Sequence, residues 1–494
     1  MAYLLGIDIG TSACKAAVFD ENGGVVAQTN RGYNVYYEKP GYAAQNPDDW
    51  WNAVCDAIKE ITALSGINPG EIAAVGIDGQ SWSAIAVDKD GRVLTPTPIW
   101  MDTRAQDICD EWASLEDELF ALCGNPLKPC YTTPKIGWYK KYLPDVYQNT
   151  HKILQSNSYI AYRLTGVFSQ DKSQGYGLHF FDIKKGDWNQ SLCKELGLRA
   201  DILPDIYDSS AVIGKITAAA AQQTGLPQGI PVTAGGLDAA CGTLGAGVIH
   251  PGQTQEQGGQ AGGMSICLDS AKSDPRLILG AHVIPDRWLL QGGTTGGGGV
   301  MKWLHAELGG GQSMPAMDEM AAKVSPGSEG TVFLPYMAGE RSPIWDANAK
   351  GVFFGLDFSK TQGHLIRAAL EGVAFSLKHN LDVAKNAGAE VDELISMGGA
   401  ANSKLWTQIK ADITGKTIKV PSSDTATTLG AVMLAGVGVG LYSDFEDAVA
   451  KTVKITREHK PNEENNSVYM KNYEIYLDLY ENLKETMKKA GEVL

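Results

Sequence analysis

The sequence predicts an α/β fold built as two large domains, and three observations carry that expectation. Short β-branched runs end in glycine loops and lead into helical apolar stripes, the alternation of an α/β chain. A length of 494 residues, 44% of them hydrophobic, suits two or three globular domains at the usual ~150 residues each. Near residue 248 the texture changes from small-residue helix to glycine-rich hairpins, which divides the chain into residues 1–248 and 249–494.

The elements follow in order. Tyr3–Ile9 is apolar and β-branched, Gly10-Thr11-Ser12 turns, and Ala13–Phe19 resumes the strand. Asp20–Gly24 is a second turn, since Asn-Gly tolerates positive φ. A helix opens with Asn46 as N-cap, Pro47 at its first position and Asp48 and Asp49 at the positive end of its dipole. Val54, Ile58, Ile61 and Leu64 form its apolar stripe. Gly76-Ile77-Asp78 with Ala86-Val87-Asp88 echoes Gly6-Ile7-Asp8 with Val18-Phe19-Asp20, which reads as two similar β-ribbons in one sheet. Helical and loop patterns alternate from Ile153 to Leu226. Pro231–Ala234 is a strand, Ala239–Val248 a small-residue helix, and Gln257–Gly263 and Gln291–Gly299 are glycine-rich hairpins. Leu365, Ala369, Val373 and Leu377 line a long helix, Val391–Met397 is a strand, and a helix starts at Asn402. Tyr469, Tyr473, Tyr476, Tyr480, Leu483 and Met487 mark a terminal helix packed on the body.

Composition removes several classes of function. Lys and Arg number 42 against 57 Asp and Glu, a net charge of −15. Such a surface disfavours nonspecific nucleic-acid binding and docking on anionic membranes. No pair among the eight cysteines has CxxC spacing, which fits free thiols in a reducing compartment. The chain runs straight into a strand without a basic and apolar leader, and Leu429–Tyr442 is too short to span a bilayer. The expectation is a cytoplasmic protein that binds neither nucleic acid nor membrane. The histidines lack HxxxH or HxxE spacing, against a structural metal site. The 57 glycines, well above the usual ~7%, sit in short clusters where a ligand can approach backbone.

Four constellations could carry chemistry. In Gly6-Ile7-Asp8-Ile9-Gly10-Thr11-Ser12 the turn can aim backbone N–H groups and the Thr11 and Ser12 hydroxyls at an anion. Asp8 can hold Mg²⁺ through water, and Lys15 can neutralise phosphate. The same residues equally make a tight hairpin with Asp8 capping its own turn. Asp238 follows Gly235-Gly236 between strand and helix, where α/β enzymes place working groups; it can be a general base or a helix cap. Gly398-Gly399-Ala400-Ala401-Asn402 admits a flat ligand, or is a plain strand-to-helix turn capped by Asn402. Gln80, Ser81, Trp82, Trp100, Asp102 and Arg104 suit a sugar's hydroxyls and C–H faces, although tryptophans also suit a core.

In this order the motifs resemble the FGGY family of carbohydrate kinases over essentially the whole chain, most closely its xylulokinase branch. Gly6–Ser12 is similar to the family's first phosphate motif and Gly235–Asp238 to its catalytic-Asp segment. Phe333–Tyr336 with Gly339–Pro343 resembles its linker into the last region. Gly351–Leu356, His364-Leu365 and Ala368–Glu371 are similar to its C-terminal signature, and Gly398-Gly399 to its adenosine motif. The resemblance implies two ribonuclease-H-like domains of the actin-like ATPase type with a cleft between them, ATP and Mg²⁺, a small sugar substrate, and a homodimer as an allowed state. It implies Asp238 as base and sugar contact. Asp8, Gly10, Thr11, Ser12, Lys15, Gly259, Gln260, Gly296, Gly398, Gly399 and Asn402 fall on the nucleotide side, with Asp8 on the metal. Gln80, Ser81, Trp82, Trp100, Asp102 and Arg104 fall on the sugar. The expected reaction is ATP-dependent phosphorylation of a ketopentose such as xylulose. Another polyol, a deoxysugar, a sugar acid, or a non-catalytic sensor are the alternatives. Two departures stand out. Gln80-Ser81-Trp82-Ser83 replaces the branch's Gln-Met-His-Gly. Gly259-Gln260-Ala261-Gly262 replaces the family's Gly-Thr-Ser-Gly, so a hydroxyl near the β/γ-phosphates is gone.

Overall fold

The computed structural model describes residues 2–422 and 425–492. Strands β1 (Tyr3–Ile9), β2 (Ala13–Asp20) and β3 (Val25–Gly32) run antiparallel. Helix α1 (Pro47–Ser65) begins at Asn46, whose side chain accepts from Asp48 N. Its Val54, Ile58 and Ile61 are buried, but Leu64 is 63% exposed, because it lies in the last turn beside the Gly66 cap. Strand β4 (Ile72–Gly79) lies parallel to β1 with Asp8 opposite Asp78. The expected second ribbon does not stay in this sheet: Ile85–Val87 pairs instead with Lys152–Leu154 in a small sheet of its own. The break comes at Gln80–Ser83, where Trp82 has φ 58° and turns the chain away.

A largely helical region that includes α2 (Thr132–Tyr142) follows before β5 (Val212–Lys215), β6 (Pro231–Thr233) and β7 (Gly236–Leu237). The first sheet has the order β5-β6-β4-β1-β2-β3, with β7 beside the end of β4. Helix α3 (Asp238–Gly245) leaves β7 directly.

The second half contains β8 (Gln253–Gly258), β9 (Gly262–Leu268), β10 (Ile278–Ala281) and β11 (Trp288–Thr294). Helix α4 (Gly298–Leu308) follows, so Gln291–Gly299 is a strand end and a helix start rather than a hairpin. After α5 (Gln362–Asn386) come β12 (Glu393–Met397), α6 (Lys404–Thr414), β13 (Thr417–Pro421), α7 (Ala426–Gly438), β14 (Ile455–His459) and α8 (Glu463–Gly491). Their sheet has the order β10-β11-β9-β8-β12-β13-β14. It repeats the first in outline: the opening strand has antiparallel strands on one side, two in the first sheet and three in the second, and on the other side two parallel strands followed by an antiparallel edge strand. Ala369, Val373 and Leu377 of α5 are buried, with Ile366 rather than Leu365 completing the face. Tyr469, Tyr473 and Tyr476 of α8 pack on Phe375 of α5.

The two halves meet through α3 and α7. Helix α7 is buried nearly all round, as its continuous apolar sequence requires. It comes from the second half but packs on β1 and β4 of the first. A methyl group on Gly76 would meet the Ala431 carbonyl oxygen at 1.9 Å, and one on Gly430 would meet that of Cys241 at 1.9 Å. Glycine is what lets these backbones approach so closely.

Candidate active site

The carboxyl ends of β1, β4 and β7 lie side by side, and crevices at such strand ends are where α/β folds bind ligands. They place three carboxylates together: Asp8, Asp78 and Asp238. Asp8 is 2% exposed. Its Oδ2 accepts from Lys15 Nζ at 2.9 Å and from Thr427 Oγ1 of α7 at 3.3 Å. Its Oδ1 is buried without a partner. Asp78 is fully buried, its oxygens receive no hydrogen bond from a conventional donor, and its one side-chain partner is the neighbouring Asp8 carboxylate. Burial, then the charges of Asp8 and Asp238, pushes its carboxyl well above the usual range. Asp238 is half-buried, and its Oδ1 accepts from Ala239 N at 2.7 Å. Burial, then Asp8, pushes it up to about 7. Leu237, not Asp238, occupies the cap position of α3, so the helix-cap alternative for Asp238 does not hold.

A cleft of about 390 Å³ opens in front of Asp238 between the two halves. Thr11, Gln80, Ser81, Trp82, Trp100 and Asp238 line one wall. Gly259, Gln260, Gly262, Gly293 and Arg341 line the other. On the first wall Trp82 holds a left-handed backbone (φ 58°), which costs on the order of 1–2 kcal/mol for a residue with a side chain. Its ring packs 4.2 Å from that of Tyr131 and 5.8 Å from that of Tyr176. Its Nε1 and the Gln80 Oε1 are buried without partners. Trp100 Nε1 donates to Thr11 Oγ1 at 2.9 Å, joining the aromatic wall to the first turn. Gly10 and Lys15 flank Asp8, and Ser12 is exposed at the tip of the turn.

Asp102 and Arg104 do not join this wall. Asp102 is fully buried and accepts from Ala43 N at 2.6 Å, while Arg104 Nε and Nη2 grip both its oxygens at 2.8–3.0 Å. The guanidinium lies 4.1 Å over Tyr42 and 5.0 Å over Trp138. The planar fork matches a carboxylate so well that the pair closes on itself.

On the second wall the 259–262 loop is tied to the start of α4. Gly298 N donates to Gly259 O at 2.7 Å, Gly299 N to Gln260 O at 2.9 Å, and Lys302 Nζ to Gln260 Oε1 at 3.2 Å. Gly296 packs on Pro335, whose carbonyl oxygen a methyl group would meet at 2.7 Å, so it supports the loop from behind. Gly398 (φ 83°) abuts Gly258 and brings the ends of β12 and β8 together. Gly398 and Asn402 border a separate pocket, also of about 390 Å³, with Lys404 and Arg457. Gly399 has open space on its side-chain face. Asn402 is not a helix cap: Ser403 caps α6, accepting from Trp406 N.

The donor set fits Mg²⁺ carried by a nucleotide. Among the described residues no three His, Cys, Asp or Glu side chains stand close enough to hold a metal alone. Mg²⁺ commonly takes one or two carboxylates and fills its shell with water and phosphate; the free Oδ1 of Asp8 suits that role. Sequence reasoning left out Asp78, Tyr131, Tyr176, Arg341 and Lys302. Asp78 carried a legible signal as the counterpart of Asp8 in the repeated Gly-Ile-Asp, and Arg341 lies inside the Gly339–Pro343 motif.

Comparison with known proteins agrees with this geometry. The sequence profile of the FGGY family of carbohydrate kinases, N-terminal domain, matches residues 3–245. Its C-terminal domain profile matches residues 271–439. The chain is 32% identical to the xylulose kinase of Klebsiella pneumoniae, over 98% of this chain and 99% of that protein. Its structure is similar to a ligand-bound xylulose kinase from Lactobacillus acidophilus (TM-score 0.92, 27% identity, 99% and 100% of the two chains). It is also similar to a gluconate kinase from Lactobacillus acidophilus (TM-score 0.91, 28% identity, 99% of each chain).

Two like sheets around a cleft, with acids on one wall and glycine loops on the other, define a sugar kinase of the actin-like ATPase type. The chain belongs to the FGGY family of carbohydrate kinases.

Proposed function

We propose that this kinase transfers the γ-phosphoryl group of ATP to a hydroxyl of a ketopentose such as xylulose, with Asp238 as general base. The observation that carries the reading is Asp238 itself. It is a carboxylate on the cleft wall, held by one backbone N–H and pushed up to about 7 by burial and Asp8. A base near the working pH is best matched to taking a hydroxyl proton as the phosphoryl group arrives. Residues 1–248 carry the sugar wall and residues 249–494 the nucleotide loops. Gln80, Ser81, Trp82 and Trp100 face the sugar; Asp102 and Arg104 brace that wall from behind. Gly10, Thr11, Ser12, Lys15, Gly259 and Gln260 hold phosphates, while Gly398, Gly399 and Asn402 hold adenosine. Mg²⁺ bound with ATP would neutralise phosphate charge, and Asp8 would hold it through water. Drawing the walls together excludes water, which competes with the sugar hydroxyl for the phosphoryl group. The unpaired, mostly buried cysteines favour a cytoplasmic setting.

A second reading, phosphorylation of a sugar acid, is favoured by Arg341. This cation lies in the cleft wall 6.0 Å over Trp100, with no carboxylate at ion-pair distance among the described residues. ADP release with MgATP, tested over ketopentoses, alditols and aldonates, separates the two. Under either reading Asp238→Asn lowers kcat by roughly 10²–10⁴, with the sugar KM nearly unchanged. Undiminished turnover in that variant overturns the role of Asp238.

A further inference from the structure

Helix α2 carries Lys135, which is fully buried. Its Nζ donates to three backbone carbonyls: Trp82 O at 2.8 Å, Ile99 O at 2.7 Å and Cys130 O at 2.6 Å. These come from three separate segments, and each holds or adjoins an aromatic residue of the cleft region: Trp82 itself, Trp100 and Tyr131. Burial pushes the Lys135 ammonium down to about 7, but three carbonyl acceptors match its three donor hydrogens, with no fixed plane to satisfy, and so favour the protonated form. Two more side chains of α2 continue the grip. Thr132 Oγ1 donates to Ser83 O at 3.2 Å and Tyr139 OH to Ala84 O at 2.8 Å. Three consecutive carbonyls, 82 to 84, are therefore held from one helix, immediately after the left-handed step at Trp82. A strained residue persists only where its surroundings over-determine it.

We propose that Lys135 is a positioning residue for the acceptor: it clamps Trp82, Trp100 and Tyr131 into one arrangement and sets acceptor affinity without touching the acceptor. The proposal rests on the reading of Trp82 and Trp100 as the acceptor wall. It assigns no such role toward the 259–262 and 398–402 loops across the cleft; of the phosphate-side segments only the Gly10–Ser12 turn shares the acceptor wall.

The test compares Lys135→Gln, which keeps two donor hydrogens, with Lys135→Met and with Trp82→Ala. Hydrogen–deuterium exchange on the free enzyme is read first, since it needs no acceptor. Lys135→Gln is expected to speed exchange together in peptides covering residues 81–85, 99–103 and 129–133, with those covering 257–263 and 398–402 unchanged. Acceleration confined to the neighbourhood of residue 135, or spread evenly over the chain, overturns the clamp. Steady-state kinetics follow with D-xylulose and D-gluconate as the acceptors. Lys135→Gln is expected to raise acceptor KM by roughly ten- to a hundred-fold, leaving ATP KM within about two-fold, and Lys135→Met to raise it further. If Trp82→Ala raises acceptor KM and Lys135→Gln does not, the clamp is wrong while the wall stands. If neither variant moves it, the wall reading fails and the proposal with it. Should Lys135→Met not fold, the Gln variant decides alone.

Discussion

Asp8, Asp78 and Asp238 share one enclosure but have different partners. Asp8 has a lysine and a threonine, Asp238 one backbone N–H, and Asp78 only the Asp8 carboxylate beside it. As the proposed general base, Asp238 would have to lose its proton to accept another, so activity is expected to rise with pH as it ionises. The expected pH profile of kcat/KM climbs to a plateau with an apparent pKa near 7, and the acid limb disappears from the residual activity of Asp238→Asn. Asp78 makes an opposite statement about stability. Its folded carboxyl lies well above its unfolded value, so between those values the native state holds a proton that the unfolded chain has released. Stability therefore falls as pH rises through that window. Asp78→Asn, which keeps the shape and cannot ionise, should raise Tm, with a gain that is larger at pH 8 than at pH 5. Thermal melts at the two pH values check this, and an equal or negative change at both contradicts it.

Elements beneath the glycine loops keep their ends aligned. Glu256 of β8 pairs with Lys410 of α6 at 2.6 Å and accepts from Ser396 of β12, with both charged side chains at most 5% exposed. Losing one partner would leave a buried charge uncompensated, so Lys410→Met should cost about 3–5 kcal/mol in denaturant unfolding. A cost below 1 kcal/mol would mean that water reaches Glu256. Helix α7 makes a similar demand by shape alone. Gly76→Ala places a methyl group against the Ala431 carbonyl oxygen and should destabilise by about 1–3 kcal/mol or more, as overpacking does. The urea midpoint reads that loss.

The whole molecule is two copies of one sheet pattern facing each other across a cleft, with α3 and α7 between them. Because the acidic wall comes from one half and the glycine wall from the other, a ligand that touches both favours the state in which they are close. MgADP at a hundred times its Kd should stabilise the fold by about 2.7 kcal/mol. Adding the acceptor should then shrink the radius of gyration in solution scattering. An unchanged radius with both ligands bound would mean that the walls already stand at their working distance. Among the described residues no helix is long and apolar enough to cross a membrane.

Much of the candidate site was legible in the residues, because neighbours in sequence carry it. The Gly10–Ser12 turn, Asp8, the Gly235–Asp238 segment and the Asn46-Pro47 helix start are short-range patterns, and the structure places each element where that pattern puts it. What lay beyond reach depends on contacts between distant segments. Asp102 and Arg104 looked like sugar contacts, yet a backbone N–H 59 residues away and two aromatic faces close them off. Asp78 becomes part of the acidic group only through parallel pairing with β1. Lys135 looks like an ordinary helix lysine until three remote carbonyls converge on it. Local propensity and capping set the elements, while which side chains share a cleft is decided by long-range packing that no local pattern encodes.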